Sequence, residues 1–363
     1  MELSDYAITL QSCIECGACD DVCPVTEIID KYYPSKKIKD AQEILDGREL
    51  KEEQIDNIYA CMRCRACESV CKEDIQISEI VRLARKEIVK LGREPSLHRK
   101  ISENILNHGV SIHKDPSERL KWTERSFFKQ NAEYVYMTGC FASMINTNIA
   151  RSTVKILREA GVDFTILGDR EVCCSSFAWD NGKNEIVLEN AKKNKSSIES
   201  VGSNKIISAC AGCHIIYSRV YPYIIDWNIQ EMNIIEFIYN LIKDDKIKFK
   251  NEIKKTIVIH KACNIEEDIF SMASEIVGEI PGIKLVELGM NRCCGAPSGV
   301  KPKFPEISIE IGSKTIKDAK EKGAEIIVTT CPFCNFQFSD VKRNKGYNIE
   351  ILDLPELVTN AIG

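Results

Sequence analysis

The chain of 363 residues carries eighteen cysteines, and their spacing indicates chemistry more clearly than their number. Cys13, Cys16, Cys19 and Cys23 lie in "CIECGACDDVCP", and Cys61, Cys64, Cys67 and Cys71 in "CMRCRACESVCK". Both runs have the spacing C-x2-C-x2-C-x3-C. The other ten are Cys140, Cys173, Cys174, Cys210, Cys213, Cys263, Cys293, Cys294, Cys331 and Cys334. They form two sets of five, each a single cysteine, an adjacent pair and a C-x2-C. Corresponding members lie 123, 120, 120, 121 and 121 residues apart, which marks a duplication. Adjacent cysteines crowd two oxidisable sulfurs onto one short stretch of backbone. Packing does not ask for that; a ligand larger than a disulfide, held by both, does.

The two N-terminal runs have the bacterial ferredoxin spacing for 4Fe–4S clusters, in which the fourth cysteine of each run ligates the other cluster. On that rule Cys13, Cys16, Cys19 and Cys71 hold one cluster, and Cys61, Cys64, Cys67 and Cys23 the other. Zinc is the alternative, but the third and fourth cysteines are spaced wrongly for two independent zinc ribbons. Pro24 follows Cys23 as the motif expects, whereas Lys72 stands where the second run would carry its proline. Five thiolates per C-terminal set are one too many for a cube, so these sets suit a cluster with an extra or bridging thiolate.

Helices and short strands must position these residues. The segment between the two runs reads as largely helical. At 77–91, Ile77, Ile80, Val81, Ala84, Ile88 and Leu91 fall on one helical face. In the duplicated part "YVYMTGC" matches "TIVIHKAC", and "NKIISACAGC" matches "AEIIVTTCPFC". Each half reads strand–helix–strand–helix–strand, with cysteines beyond the strand ends where ligands of parallel sheets gather. The expected architecture is α+β and multidomain. An α-helical double-cluster ferredoxin domain occupies 1–110 and a linker or strap 111–130, with βαβ-type α/β cysteine-rich repeats at 131–250 and 251–363.

A net charge of −5 argues against a nucleic-acid binder. The acidic start "MELSDYAITLQSC" lacks the apolar core of a signal peptide. The most apolar region, 215–242, is interrupted by Arg219, Asp226, Glu231 and Glu236 and is not expected to span a bilayer. A cytoplasmic protein is expected, either free or docked as a soluble subunit on a membrane partner.

At the level of these motifs the chain resembles heterodisulfide reductases. Its cysteine-rich halves resemble the catalytic B subunit, with its paired Cys-Cys-Gly motifs. The first 100 residues or so resemble the C subunit, and the two in one chain resemble the fused D subunit. The resemblance spans nearly the whole chain and all eighteen cysteines. It implies two cubane and two non-cubane 4Fe–4S clusters. It further implies cleavage of the coenzyme M–coenzyme B disulfide of methanogenesis, at the ten C-terminal cysteines. A similar layout occurs in iron–sulfur subunits of glycolate, lactate and glycerol-3-phosphate dehydrogenases and in a thiol:fumarate reductase. An electron-transfer subunit without a substrate of its own is therefore the competing reading. Ser175 departs from the pattern, standing where Gly295 follows the second cysteine pair.

Outside the cysteines, His260 in "IHKAC" is a candidate to protonate a product thiolate or to orient a loop or cluster sulfur. Arg292 and Lys301 are candidates to bind an anionic coenzyme end, and surface charge is the alternative for both. Gly295 and Gly299 are candidates for close backbone approach to a cluster. The mixed charges of 111–130 suggest no ligand. No glycine-rich dinucleotide fingerprint is present, so neither flavin nor nicotinamide is expected in this chain. Electrons then come from a partner, a flavin-containing subunit or a membrane cytochrome b.

Overall fold

A computed structural model describes residues 1–289 and 293–363. The N-terminal part is helical, with principal helices Pro34–Leu45, Glu52–Tyr59, Ile77–Lys90 and Ser96–His108. Ile77, Ile80, Val81, Ala84 and Ile88 are buried on the face their spacing defines, against Ile38, Ala41, Ile55 and Ile58. Leu91 departs from that face and is exposed. The helix has ended at Lys90, and Gly92 turns the chain away at a φ of +69°.

Each cysteine-rich half is a four-stranded parallel sheet. The first contains β1 (Tyr134–Met137), β2 (Phe164–Thr165), β3 (Lys205–Ser208) and β4 (Gln230–Asn233), in the order β2-β1-β3-β4. The second contains β5 (Thr256–His260), β6 (Lys284–Leu285), β7 (Ile326–Thr329) and β8 (Glu350–Asp353), in the order β6-β5-β7-β8. The identical order bears out the duplication. The fourth strand of each half, β4 or β8, is an addition to the expected pattern. Both are short edge strands, "QEMN" and "EILD", without the apolar run that marks an interior strand.

The two halves exchange their last helices. Ile234–Lys243, which follows β4, packs on Glu267–Gly278 of the second half, where Tyr239 Oη donates to Glu275 and Lys243 pairs with Glu279 at 2.9 Å. Leu354–Ile362, which follows β8, packs on Thr147–Glu159 of the first half, where Thr359 Oγ1 donates to the Ser152 carbonyl. One apolar core runs through both sheets. The helical part joins the second half through Val300, Phe304, Ile307 and Ile311, which share its core.

Residues 111–130 form a strap on the first half. Trp122 and Phe127 are buried there, and Phe127 lies 6.5 Å from the Phe164 ring. Arg85 ties the three parts together. Its buried guanidinium donates to the carbonyls of Cys61, of Asp180 in the first half and of Ser298 in the second.

Candidate metal centres and the cleft between the halves

The first eight cysteines line two separate cavities. Cys13, Cys16, Cys19 and Cys71 surround one, and Cys61, Cys64, Cys67 and Cys23 the other. The crossed grouping arises because each run contributes its fourth cysteine to the opposite loop. Both loops pass through left-handed backbone at matching places, Glu15 and Gly17 in one, Arg63 and Arg65 in the other. These turns curl three cysteines round one space, and the Arg63 amide donates to Cys61 Sγ at 3.4 Å. Burial pushes the Cys64 thiol up to about 12, and burial followed by the Asp20 carboxylate does the same to Cys19. Such thiols become thiolates when a metal supplies the compensating charge. Four cysteines to a cavity therefore fit a 4Fe–4S cluster.

Nine of the ten remaining cysteines line a single cleft of about 630 Å³: all five of the first set, with Cys263, Cys294, Cys331 and Cys334 of the second. Cys293 faces an adjoining cavity of about 670 Å³, shared with Cys64, Cys263, Cys294, Cys334 and His260. The sets meet directly, with Cys210 and Cys331, equivalent residues of the two halves, at 3.7 Å between sulfurs. Among the described residues, no three His, Cys, Asp or Glu side chains converge on a point to hold a single ion. The five-cysteine sets instead rim a space.

Both adjacent pairs sit on the same turn. Ser175 has φ +70° and Gly295 φ +94°, and each donates its amide to the first sulfur of its pair at 3.4 Å. Hydrogen bonds from Cys173 and Cys213 hold the Cys174 thiol down at about 6 against its burial, and Cys294 is lowered likewise through Cys293 and Cys334. A thiol of low pKa is a ready metal ligand. The serine keeps a conformation that glycine adopts freely because Asn190 donates to its hydroxyl at 2.9 Å. At 295 no side chain fits, since a Cβ would stand 2.2 Å from the Ser308 carbonyl oxygen.

The other candidates fall in different places. His260 is buried at the end of β5, edge-on to Phe338 at 4.8 Å, beside the second set. Gly299 makes room for the ring of His98, where a Cβ would lie 2.2 Å from Nε2, and Gly295 makes room for a helix backbone. The space that a side chain would take at both glycines is thus filled by protein, and Gly299 also lines the cleft. Lys301 lines the cleft and pairs with Asp340 at 2.6 Å. Arg292 lies outside the described residues.

One part of the site left no sequence signal. Arg119, in the strap, is buried with its guanidinium 3.0 Å from the carboxylate of Glu171. Its other nitrogen lies 3.7 Å from Cys140 Sγ. Glu171 in turn accepts from the Thr138 and Gly139 amides and the Thr138 hydroxyl, just before Cys140. Burial opposes the Arg119 charge, but Glu171, with Cys140 and Cys173, holds its pKa above the ordinary value. Only the position of Glu171, two residues before Cys173, was available as a hint.

A double-cluster helical domain joined to two interlocked cysteine-rich halves defines an iron–sulfur oxidoreductase. The 4Fe-4S dicluster domain model matches residues 9–75, and the cysteine-rich domain model matches 134–216 and 257–339. The chain is 30% identical to the D subunit of dihydromethanophenazine:CoB–CoM heterodisulfide reductase from Methanosarcina barkeri, over 98% of this chain and 94% of that protein. It belongs to the family of heterodisulfide reductase D subunits. It is also 27% identical to the B subunit of fumarate reductase (CoM/CoB) from Methanothermobacter marburgensis, over 98% of this chain and 74% of that one. A crystal structure of a hypothetical protein from Helicobacter pylori shares the fold, with a TM-score of 0.63, 11% identity, and coverage of 99% of this chain and 76% of that one. Among the described residues, no helix is long and apolar enough to cross a membrane.

Proposed function

We propose that the chain is the disulfide-cleaving subunit of a larger enzyme, taking electrons from a flavin-containing subunit or a membrane cytochrome b and reducing a disulfide of the coenzyme M–coenzyme B type. The observation that carries this is the shared cleft: both five-cysteine sets open onto one space and touch at Cys210 and Cys331. On this reading the eight N-terminal cysteines hold two cubane clusters and the ten others two non-cubane clusters. When bound, these groups supply one-electron transfer, two of which match the two electrons a disulfide accepts.

The chain's own residues give the rest of the argument. Cys64 shares a cavity with Cys263, Cys293 and Cys294, and Cys293 Sγ lies 3.3 Å from Met62 Sδ, so the helical domain adjoins the second set. Electrons then reach the second half before the first. Phe141, Phe177, Phe333 and Phe336 line the cleft with aromatic rings.

The test is anaerobic turnover of the cluster-loaded protein with reduced viologen and a panel of disulfides. Two thiols released per two viologens oxidised supports the reading. Full cluster content, electron uptake from a flavoprotein and no thiol from any disulfide refutes it, in favour of an electron-transfer subunit.

A further inference from the structure

We infer that the buried ammonium of Lys37 lets the inner of the two cubane clusters hold an electron on its way to the cleft. This rests on the reading of the first eight cysteines as two cluster sites and goes beyond it. The cavity of Cys61, Cys64, Cys67 and Cys23 is the inner one, because Cys64 also lines the space that Cys293 and Cys294 face. The cavity of Cys13, Cys16, Cys19 and Cys71 is the outer one, and Cys16 is exposed there. The two sites are built alike. An acid follows the third cysteine of each run, Asp20 or Glu68. Each accepts from the amide of the second residue of a helix, Ser35 at 2.9 Å in Pro34–Leu45 and Ser78 at 2.7 Å in Ile77–Lys90. Two residues further along, at positions buried in both helices, the likeness ends: one carries Lys37, the other Ile80.

Lys37 lines the inner cavity and is 1% exposed. Its ammonium donates to the side-chain oxygen of Asn57 at 3.0 Å, not to a carboxylate. The acid of this network, Asp40, accepts from the other end of the Asn57 amide at 2.6 Å and is not among the residues lining the cavity. The remaining cations of the inner lining count for less. Arg63 is matched by Glu79 and Asp180, and Arg65 is exposed and screened by water. The charged residues lining the outer cavity, Glu15, Lys72 and Glu73, are all exposed. A cluster held by four thiolates becomes more negative on reduction. Burial opposes that at the inner site, as it pushes the Cys64 thiol up, while water eases it at the outer one. An ammonium in a poorly screened interior offsets the penalty of burial. Lys37 thus keeps the inner site from being a barrier between the exposed outer site and the second five-cysteine set.

The experiment is an EPR-monitored redox titration of the full, cluster-loaded chain with dithionite under anaerobic conditions. The outer signal is the one that Cys16→Ser alters, and the inner signal the one that Cys64→Ser alters. Lys37→Gln removes the charge and keeps a donor for Asn57. It is expected to weaken electron binding at the inner site about tenfold, a fall of about 59 mV for one electron, and to leave the outer midpoint in place. Asp40→Asn keeps an acceptor for Asn57 and is expected to move the inner midpoint upward. An unchanged inner midpoint in Lys37→Gln, or an equal shift at both sites, overturns the inference while leaving the clusters standing. Where Lys37→Gln does not retain its inner signal, Asp40→Asn decides in its place, and an inner midpoint that does not rise overturns the inference. A wild-type chain without two such signals from the first eight cysteines overturns the cluster reading itself.

Discussion

Replacing Arg119 by methionine should damage both the stability of the first half and the electronic setting of its cysteines. The Arg119 and Glu171 side chains are 3% and 1% exposed, so removing the cation leaves a buried carboxylate with only neutral donors from Thr138 and Gly139. Breaking a buried pair on one side costs about 3–5 kcal/mol. Removing both charges, as Arg119→Met with Glu171→Gln, should recover part of that loss, because the amide oxygen can still accept from the Thr138 amide and hydroxyl while the Gly139 amide loses its acceptor. The electronic effect is of similar size. A unit charge at about 4 Å contributes about 4 kcal/mol at an effective dielectric of 20. The guanidinium nitrogen is 3.7 Å from Cys140 Sγ, and Glu171, which cancels most of its field in the intact pair, stays when Arg119 alone is removed. About 4 kcal/mol corresponds to roughly 170 mV for one electron, whereas the double replacement removes only the small net field of the pair. Losing a cation disfavours the reduced state, so in the single replacement one midpoint should fall by up to about 170 mV while the others hold. Anaerobic guanidinium denaturation reads the first effect and an EPR-monitored redox titration the second. Unchanged denaturation together with unchanged midpoints would refute the clasp.

Iron analysis of anaerobically purified protein should give about sixteen irons per chain, and about half of that would mean that the five-cysteine sets hold no cluster. Ser175→Gly removes left-handed strain of roughly 1–2 kcal/mol but also the bond from Asn190, leaving a net gain of at most about 1 kcal/mol in denaturant. Gly295→Ser meets the Ser308 carbonyl and should cost roughly 3 kcal/mol or more, with loss of iron from the second half. Burial, then Arg85 and Lys303, lowers the pKa of His98 to about 3 from an ordinary 6.5. The unfolded chain therefore binds the extra proton between those values. The stability that His98 contributes is complete above its unfolded pKa and declines by about 1.4 kcal/mol per pH unit below it. His98→Asn should flatten the denaturation midpoint between pH 7 and 5, and an unchanged slope would count against a neutral buried ring.

The sequence by itself determined the cofactor chemistry, the duplication and the apolar helix faces. A cluster held by a short loop needs its thiolates a few residues apart, so C-x2-C-x2-C-x3-C is a local mark of a local demand, while the five-cysteine pattern, spread from Cys140 to Cys213 and from Cys263 to Cys334, was legible through its repetition. The continuous apolar runs that bury β1, β3, β5 and β7, and the 3.6-residue face of Ile77–Lys90, are equally local. What only the tertiary structure decided lies between residues far apart in the chain. The edge strands β4 and β8 carry no apolar run because one side pairs and the other meets solvent. Nothing in "IIEFIYNLIK" or "LPELVTNAI" says that each helix covers the opposite half, since an apolar face does not name its partner. Arg119 reads as one charge in a mixed-charge strap until folding places it against Glu171 and Cys140. Gly299 reads as a position of close approach, but only folding shows that the His98 ring fills the space beside it. The cleft itself follows from the exchanged helices: they hold the two halves face to face, and that placement brings Cys210 within reach of Cys331.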